Sequence, residues 1–183
     1  WLGTDQYGRD IFARIIHGAR ISLTMGIGTV LTSLTIGSIF GALAGYYGGK
    51  VDNIIMRIMD VFLAIPNMLM AVTIVGALGG GLVNLLIAMS ISSIPRFSRV
   101  IRSSILSVRD MDYIEAARAC GTKDSRIIYK HVLPNAIGPI IVNATLSLAN
   151  TILSISGMSF IGLGIEKPMP EWGSMLSEGR AQM

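Results

Sequence analysis

Long apolar stretches alternate with short polar segments along this chain of 183 residues. A helix that crosses the hydrocarbon core of a bilayer needs about 20 mainly apolar residues. Four stretches reach that length, at about residues 21–46, 53–77, 82–100 and 136–163. The pattern therefore predicts an all-α fold, a polytopic membrane helix bundle.

The second predicted span is the least regular of the four. It contains Arg57, Asp60 and Pro66. A charge at the centre of a bilayer costs about 2.5–3.5 kcal/mol on insertion scales, so we expect Arg57 and Asp60 to lie near an interface. Their spacing of three residues would also allow the two side chains to pair on one face of a helix.

The polar segment at 101–135, between the third and fourth predicted spans, has the signals of a helix followed by a turn. Asp112 and Glu115 are three residues apart, the spacing of a capping box, which predicts a helix start near Tyr113. Gly121 predicts the end of this helix, because glycine readily adopts the left-handed conformation that closes one.

A second helix is predicted directly after that turn. Thr122 is suited to cap it, and the helical pattern continues through Lys130. Pro134 is predicted to mark its end, since proline seldom continues a helix. The segment would then be a polar helical hairpin between two membrane spans.

The distribution of charge gives the spans a direction. Residues 96–131 contain eight Lys or Arg and four Asp or Glu, and eight minus four equals the formal net charge of the whole chain, +4. Basic loops beside spans stay on the cytoplasmic side. We therefore expect the loop 101–135 to be cytoplasmic, within a transmembrane domain at 21–163 that has an external amphipathic segment at 1–20 and an external tail at 164–183.

Small residues recur every four positions along the first predicted span. They are Thr29, Ser33, Gly37, Gly41 and Gly45. Small side chains at this spacing let a second helix approach closely. The stripe predicts a packing face.

Polar residues form a second stripe along the last predicted span. Asn143, Ser147, Asn150 and Ser154 follow a four-three-four spacing, which places them on one face of an uncharged helix. Two interpretations stay open. The stripe could supply hydrogen bonds between helices, or it could line a water-filled translocation path, where polar side chains keep their solvation.

Composition narrows the possible functions. Only 14% of the residues are charged, against about 25% in a typical soluble domain. Cys120 is the single cysteine, which excludes a disulfide framework and a multi-cysteine metal site. His17 and His131 lack partners at ligand spacing, and the sequence has no G-x-x-x-x-G-K-[ST] motif for nucleotide hydrolysis. We expect no metal, no cofactor, no catalytic residue and no nucleic-acid partner.

The polar hairpin resembles the cytoplasmic loop by which permeases of bacterial ABC importers contact their ATPase. The motif of that loop reads Glu-Ala-Ala, three residues, Gly, nine residues, Ile, one residue, Leu-Pro. The matching residues are Glu115, Ala116, Ala117, Gly121, Leu133 and Pro134. His131 departs from the motif, which has Ile at that position. The resemblance implies that these six residues couple the ATPase to the spans.

Three further stretches make the resemblance narrower. They are KHVLPN at 130–135, GTDQYGRDIFARIIHGARISL near the start and SFIGLGIEKPMPEWGSML near the end. Together they resemble the C-type permease subunit of the dipeptide/oligopeptide/nickel importer family. The resemblance implies the ABC importer permease fold, with six spans of which one would precede Trp1 and one would follow Met183. It also implies a multi-pass protein of a bacterial or archaeal plasma membrane.

The same resemblance implies the partners and the activity. The partners would be a B-type permease subunit, two cytoplasmic ATPase subunits and an external solute-binding protein. The chain would be the channel-forming subunit of an ATP-driven importer of dipeptides, oligopeptides or nickel, and would not itself be an enzyme. Two alternatives remain at this point: a secondary transporter, for which only Asp60 could serve as an intramembrane carboxylate, and an intramembrane hydrolase, for which no nucleophile, base or metal cluster is evident in the spans.

Overall fold

A computed structural model describes residues 2–165 and 169–180, and these residues are mostly helical. The helices are α1 (Ile11–Tyr47), α2 (Gly49–Leu63), α3 (Asn67–Leu78), α4 (Leu82–Leu106), α5 (Asp112–Ala119), α6 (Asp124–Ile127), a π-helical turn (Ile128–Val132), α7 (Leu133–Phe160) and α8 (Trp172–Arg180). Within the described ranges the only β-type pairing is an isolated bridge between Thr4 and Asp10. The prediction of an all-α fold is confirmed. Of the predicted external tail, residues 166–168 and 181–183 lie outside the described residues.

Two of the described helices are long and apolar enough to cross a membrane. They are Ile11–Tyr47 and the continuous helix Asp124–Phe160, each 37 residues long. The pair formed by α2 and α3 makes a third candidate if its two helices count as one broken span. The first helix begins at Ile11 rather than at residue 21, so half of the predicted external segment forms the first turns of α1.

The break between α2 and α3 lies where the sequence has Pro66. Helix α2 ends at Leu63 and α3 begins at Asn67. A residue before proline is pushed away from the helical conformation, which accounts for the interruption. Asp60 does not need Arg57 as its partner, because its carboxylate accepts a hydrogen bond from Arg99 of α4 at 2.6 Å.

The second helix of the polar hairpin differs from the prediction at both ends. It begins at Asp124, with Lys123 rather than Thr122 as the N-cap and without a side-chain cap hydrogen bond. It does not end at Pro134 but continues into α7. A π-helical turn at Ile128–Val132 lies just before the proline, with Leu133 between them. This wider turn accommodates the proline ring, which would clash with the carbonyl group four residues earlier in a regular α-helix.

The chain folds as two compact units. The first consists of Trp1–Leu31, Asn67–Ser92 and Ser147–Met183, and the second of Thr32–Pro66 and Ser93–Leu146. The core of the first unit is a cluster of aliphatic and methionine side chains from α1, α3, α4 and α7. Its buried members are Met25, Ala71, Val75, Leu85, Ala88, Met89, Ile155 and Met158.

The second unit contains the glycine part of the predicted packing stripe. Helix α4 approaches α1 along Gly37, Gly41 and Gly45. A Cβ atom at Gly41 would lie 2.6 Å from the carbonyl oxygen of Ser98 and 2.9 Å from the Cβ of Ile101. The predicted close helix contact is therefore confirmed at these three glycines, and its partner is α4.

Candidate functional site

Helix α5 carries the first part of the six-residue motif and presents it outward. Ile114 is completely buried, so its side of the helix faces the interior of the protein. Glu115, Ala116 and Gly121 are exposed, and Ala117 is half-buried. The motif therefore forms a surface with small side chains and one carboxylate, available to a second molecule.

The turn that ends α5 has the geometry predicted for it. Gly121 has a φ of 73°, in the left-handed region that favours glycine. Its N–H donates to the carbonyl of Arg118 at 2.9 Å, and the N–H of Thr122 donates to the carbonyl of Ala117 at 3.2 Å. These two bonds form a Schellman motif, which satisfies carbonyl groups that the helix leaves open at its end.

The start of α5 corrects the predicted capping box. The N-cap is Met111, and no side chain makes a cap hydrogen bond. Asp112 is the first helical residue rather than the cap, so its carboxylate lies inside the first turn together with that of Glu115. Both charges still favour this end of the helix, because they face the positive end of the helix dipole.

Tyr46, near the end of α1, joins both helices of the hairpin to that span. Its side chain is buried, and its hydroxyl donates to Oδ1 of Asp124 at 2.7 Å. Nε of Arg118 donates to the same hydroxyl at 3.5 Å, and the guanidinium carbon lies 5.1 Å from the centre of the Tyr46 ring. The hydrogen bond with Tyr46 raises the pKa of Arg118 above its usual value, so this contact is with a permanent cation.

Two arginines fix the segment that leads into the hairpin. Nη1 of Arg109 donates to the carbonyl of Gly45 at 3.0 Å. Arg102 of α4 makes two parallel hydrogen bonds to the carboxylate of Asp52 in α2. A bidentate pair of this kind fixes geometry as well as charge. These contacts hold the segment before the hairpin against α1, and α4 against α2.

Leu133 and Pro134, the last two motif residues, lie at a different place from the exposed face of α5. They begin α7 and border a cavity of about 580 Å³ in the second unit, which we call the α1–α7 groove. Its lining residues are Leu34, Ser38, Tyr129, Lys130, Leu133, Pro134, Ile137, Ile140 and Ile141. The motif thus contributes to an exposed helix and to an apolar groove.

The polar stripe lies along α7. Asn143, in the second unit, is half-buried, as are Ser147 and Ser154 in the first unit, while Asn150 is exposed. The hydroxyl of Ser154 donates to the carbonyl of Asn150 at 2.9 Å, within its own helix. The stripe is not sealed inside the subunit.

An ion cluster in the first unit ties the start of the chain to α8. Nη1 of Arg14 contacts Asp5 at 2.7 Å and Glu178 at 2.8 Å, and Arg9 contacts the same two carboxylates. Burial acts to raise the pKa of Asp5, but hydrogen bonds from Arg9 and Tyr7 outweigh it and lower that pKa to about 2. Asp5 therefore stays ionised at neutral pH.

Glu171 is a structural residue that the sequence pattern missed. It is completely buried, and its carboxylate accepts the N–H groups of Gly173 and Ser174 at 2.9 Å each, which caps α8. Ser22 of α1 donates to the same carboxylate at 3.4 Å. Sequence reasoning placed Glu171 in an external tail, and glutamate is not among the preferred N-cap residues, so no local signal indicated this role.

Solved structures with a similar architecture identify the fold. One is the methionine ABC transporter MetNI in an inward-facing conformation, with a TM-score of 0.75 and 21% identity over 85% of this chain and 77% of that chain. Another is an amino acid ABC transporter, with a TM-score of 0.69 and 16% identity over 93% of this chain and 79% of that chain. The fold is that of ABC transporter permease subunits.

The family follows from the sequence comparisons. Residues 37–183 match the family described as binding-protein-dependent transport system inner membrane component, and the chain belongs to this family. It is therefore a membrane-embedded transport component.

Named relatives cover the chain almost completely. It is 49% identical over 180 residues to the dipeptide transport system permease protein DppC of Alkalihalophilus pseudofirmus, covering 98% of this chain and 59% of the relative. It is 46% identical over 183 residues to the glutathione transport system permease protein GsiD of Pectobacterium atrosepticum, covering 100% of this chain and 61% of the relative. The chain thus spans less than two thirds of the length of these relatives.

Proposed function

We propose that this chain is the channel-forming subunit of an ATP-driven importer that moves peptides into the cell. Family membership and the names of the relatives support this function over a secondary transporter or an intramembrane hydrolase. The observation that carries the proposal is the exposed motif face of α5. The hairpin that contains this face is joined to α1 by the hydrogen bonds of Tyr46 with Asp124 and Arg118.

The proposed task of the hairpin is mechanical. Glu115, Ala116, Ala117 and Gly121 would contact a cytoplasmic ATPase subunit, which hydrolyses ATP. When the ATPase pair closes, the hairpin would move as one piece with the end of α1, because Tyr46 bonds to both of its helices. Coupling of this kind requires two states of the spans, inward-open and outward-open.

The remaining parts of the proposal concern the partners and the path. A B-type permease subunit would pair with this chain in the bilayer, and an external solute-binding protein would deliver the solute. The polar stripe Asn143, Ser147, Asn150 and Ser154 would line the path between the two permeases. The loop 101–135 would be cytoplasmic, with 1–20 and 164–183 on the external side. Dipeptides and oligopeptides are the proposed solutes, with nickel as the further member of the resembled family.

The test is uptake of labelled dipeptide by the full-length, assembled transporter with substitutions in α5. Glu115→Lys reverses the charge of the exposed face, and Gly121→Val places a branched side chain at a positive φ. We expect both to reduce uptake by roughly tenfold or more, equivalent to about 1.4 kcal/mol of lost coupling. Leu133 and Pro134 are left unchanged in this test.

Two conservative changes serve as controls. Glu115→Gln keeps the size of the side chain, and Gly121→Asn places a residue that tolerates the left-handed conformation. Both should retain more uptake than the disruptive changes, and all four proteins should insert and co-purify with their partners. Normal uptake by Glu115→Lys and Gly121→Val at normal expression would refute the coupling role.

A further inference from the structure

The α1–α7 groove has one polar end and a long apolar remainder. Lys130 and the exposed Tyr129 lie at the hairpin end of α7, and beyond them the wall on the α7 side consists of Leu133, Pro134, Ile137, Ile140 and Ile141. From α1, Leu34 and Ser38 form the opposite wall. Both helices belong to the candidate membrane spans. The groove therefore presents a cation and an aromatic ring where a span would meet the headgroup region.

The length of the groove suits an extended acyl chain. The α7 side extends from Lys130 to Ile141, about 16 Å at the helical rise per residue. It begins at the hairpin end of the predicted span at 136–163 and continues into that span.

The side chains of the groove also disfavour a closely packed helix. Helix contacts in membranes use small residues, as Gly41 does against α4. Beyond Tyr129 and Lys130, the groove wall instead has Leu, Ile and Pro side chains with one serine. Bulky walls of this kind leave a gap between the two helices. A flexible apolar ligand can fill that gap. Basic pockets between membrane helices attract the headgroups of anionic lipids.

We propose that the α1–α7 groove binds one anionic phospholipid from the leaflet on the side of Lys130. Its phosphate contacts the Lys130 ammonium, and one acyl chain lies along Ile137, Ile140 and Ile141. Because Leu133 and Pro134 border the same groove, the lipid packs against the base of the polar hairpin. The bound lipid stabilises the packing of α1 against the start of α7.

Native mass spectrometry of the full-length, assembled transporter tests this proposal without requiring transport, so its failure is distinct from failure of the importer function. The complex is extracted from vesicles of equal parts phosphatidylglycerol and phosphatidylcholine, and retained lipids are counted. We expect selective retention of phosphatidylglycerol. Lys130→Ala should reduce it about fivefold. Lys123→Ala, which removes an exposed lysine outside the groove, should not change it.

Two further experiments test whether the groove binds a whole lipid, free phosphate or a second permease subunit. Inorganic phosphate should not displace the retained lipid, because the acyl chain contributes to binding. Full displacement would mean that the site recognises phosphate alone, and it would overturn the proposal.

Ile137→Trp fills the groove and should abolish retention while the complex stays assembled. Equal retention of both lipids, or retention unaffected by Lys130→Ala, contradicts the proposal. Loss of assembly in Ile137→Trp, with crosslinking of Ile137→Cys to the second permease, would identify a subunit interface instead.

Discussion

At the residue scale, the motif was visible in the sequence but the contacts that support it were not. Gly121 could be assigned to a left-handed turn because the requirement is local to one residue. Tyr46 and Asp124 are 78 positions apart, and a local pattern contains no information on such a pairing. The buried carboxylate of Glu171 was missed for the same reason, since its hydrogen-bond donors include Ser22, 149 positions away.

Tyr46→Phe tests the proposed connection between α1 and the hairpin. The change keeps the ring under the Arg118 guanidinium but removes the hydroxyl that donates to Asp124. We expect a loss of about 1 kcal/mol in hairpin stability, the usual net value of one hydrogen bond. Hydrogen exchange in residues 112–127 should become faster, and the number of peptides imported per ATP hydrolysed should fall.

Tyr47→Phe is the matched control for that experiment. Tyr47 is the next residue along the helix, and its side chain is 50% exposed. Its ring packs edge-on against Tyr46 at a centroid distance of 5.2 Å, and phenylalanine retains this contact. If both substitutions lower the import ratio equally, the hydroxyl of Tyr46 has no special part in coupling.

At the element scale, long apolar helices were predictable and their interruptions only partly so. The cores of α1 and α7 follow from uncharged stretches longer than a bilayer crossing. Pro66 indicated a disturbance in the second predicted span, and the structure has separate helices on either side of it. Pro134 indicated a helix end, but the helix continues past it, because the wider π-helical turn at Ile128–Val132 makes room for the proline ring. The helix is interrupted at Pro66, whereas before Pro134 it widens into a π-helical turn and continues.

The packing of α1 against α4 predicts a clear difference between two glycines. Gly41→Ala would put a methyl group 2.6 Å from the Ser98 carbonyl oxygen, so the helices must separate. We expect a loss of about 1–3 kcal/mol in the free energy of unfolding, as for other overpacked cores. The thermal unfolding midpoint of the purified protein, measured in detergent or nanodiscs, should fall.

Gly138→Ala, in α7, is the control. A Cβ at Gly138 meets no atom within 4 Å, so the substitution should be neutral or stabilise the helix by up to about 1 kcal/mol. Both variants remove the conformational freedom of a glycine in a helix. They differ only in which atoms lie near the added methyl group. Equal midpoints for Gly41→Ala and Gly138→Ala would mean that α4 is not pressed against α1 at this position.

At the scale of the whole molecule, charge predicts which side of the membrane each segment occupies. The basic excess of +4 between residues 96 and 131 favours a cytoplasmic hairpin. Lys123→Cys in a Cys120→Ala background should therefore resist an impermeant thiol reagent in intact cells and react after permeabilisation. Tyr7→Cys in the same background, at a position 69% exposed, should react from outside. The reverse labelling pattern would invert the proposed topology.

A substitution in the polar stripe of α7 can distinguish whether the stripe lines a water-filled path or forms a dry helix contact in the assembled transporter. The side chain of Ser147 is half-buried within the subunit, so a partner permease could cover it or leave it facing a path. Ser147→Lys separates these cases. In a wet path the lysine stays hydrated, so the complex should assemble while uptake of cationic peptides falls more than uptake of neutral ones. In a dry contact the unpaired buried charge should prevent assembly.

Leu153→Lys supplies the comparison that makes the Ser147 result interpretable. Leu153 is 71% exposed on the same helix and is apolar, as expected of a side chain in contact with lipid. A lysine there should cost about 2.5–3.5 kcal/mol if it lies near the bilayer centre, and insertion should suffer. A complex that tolerates Ser147→Lys but not Leu153→Lys, with charge-selective loss of uptake, supports the path. If neither variant assembles, the polar stripe belongs to a helix interface, and the path must be sought on another face of the subunit.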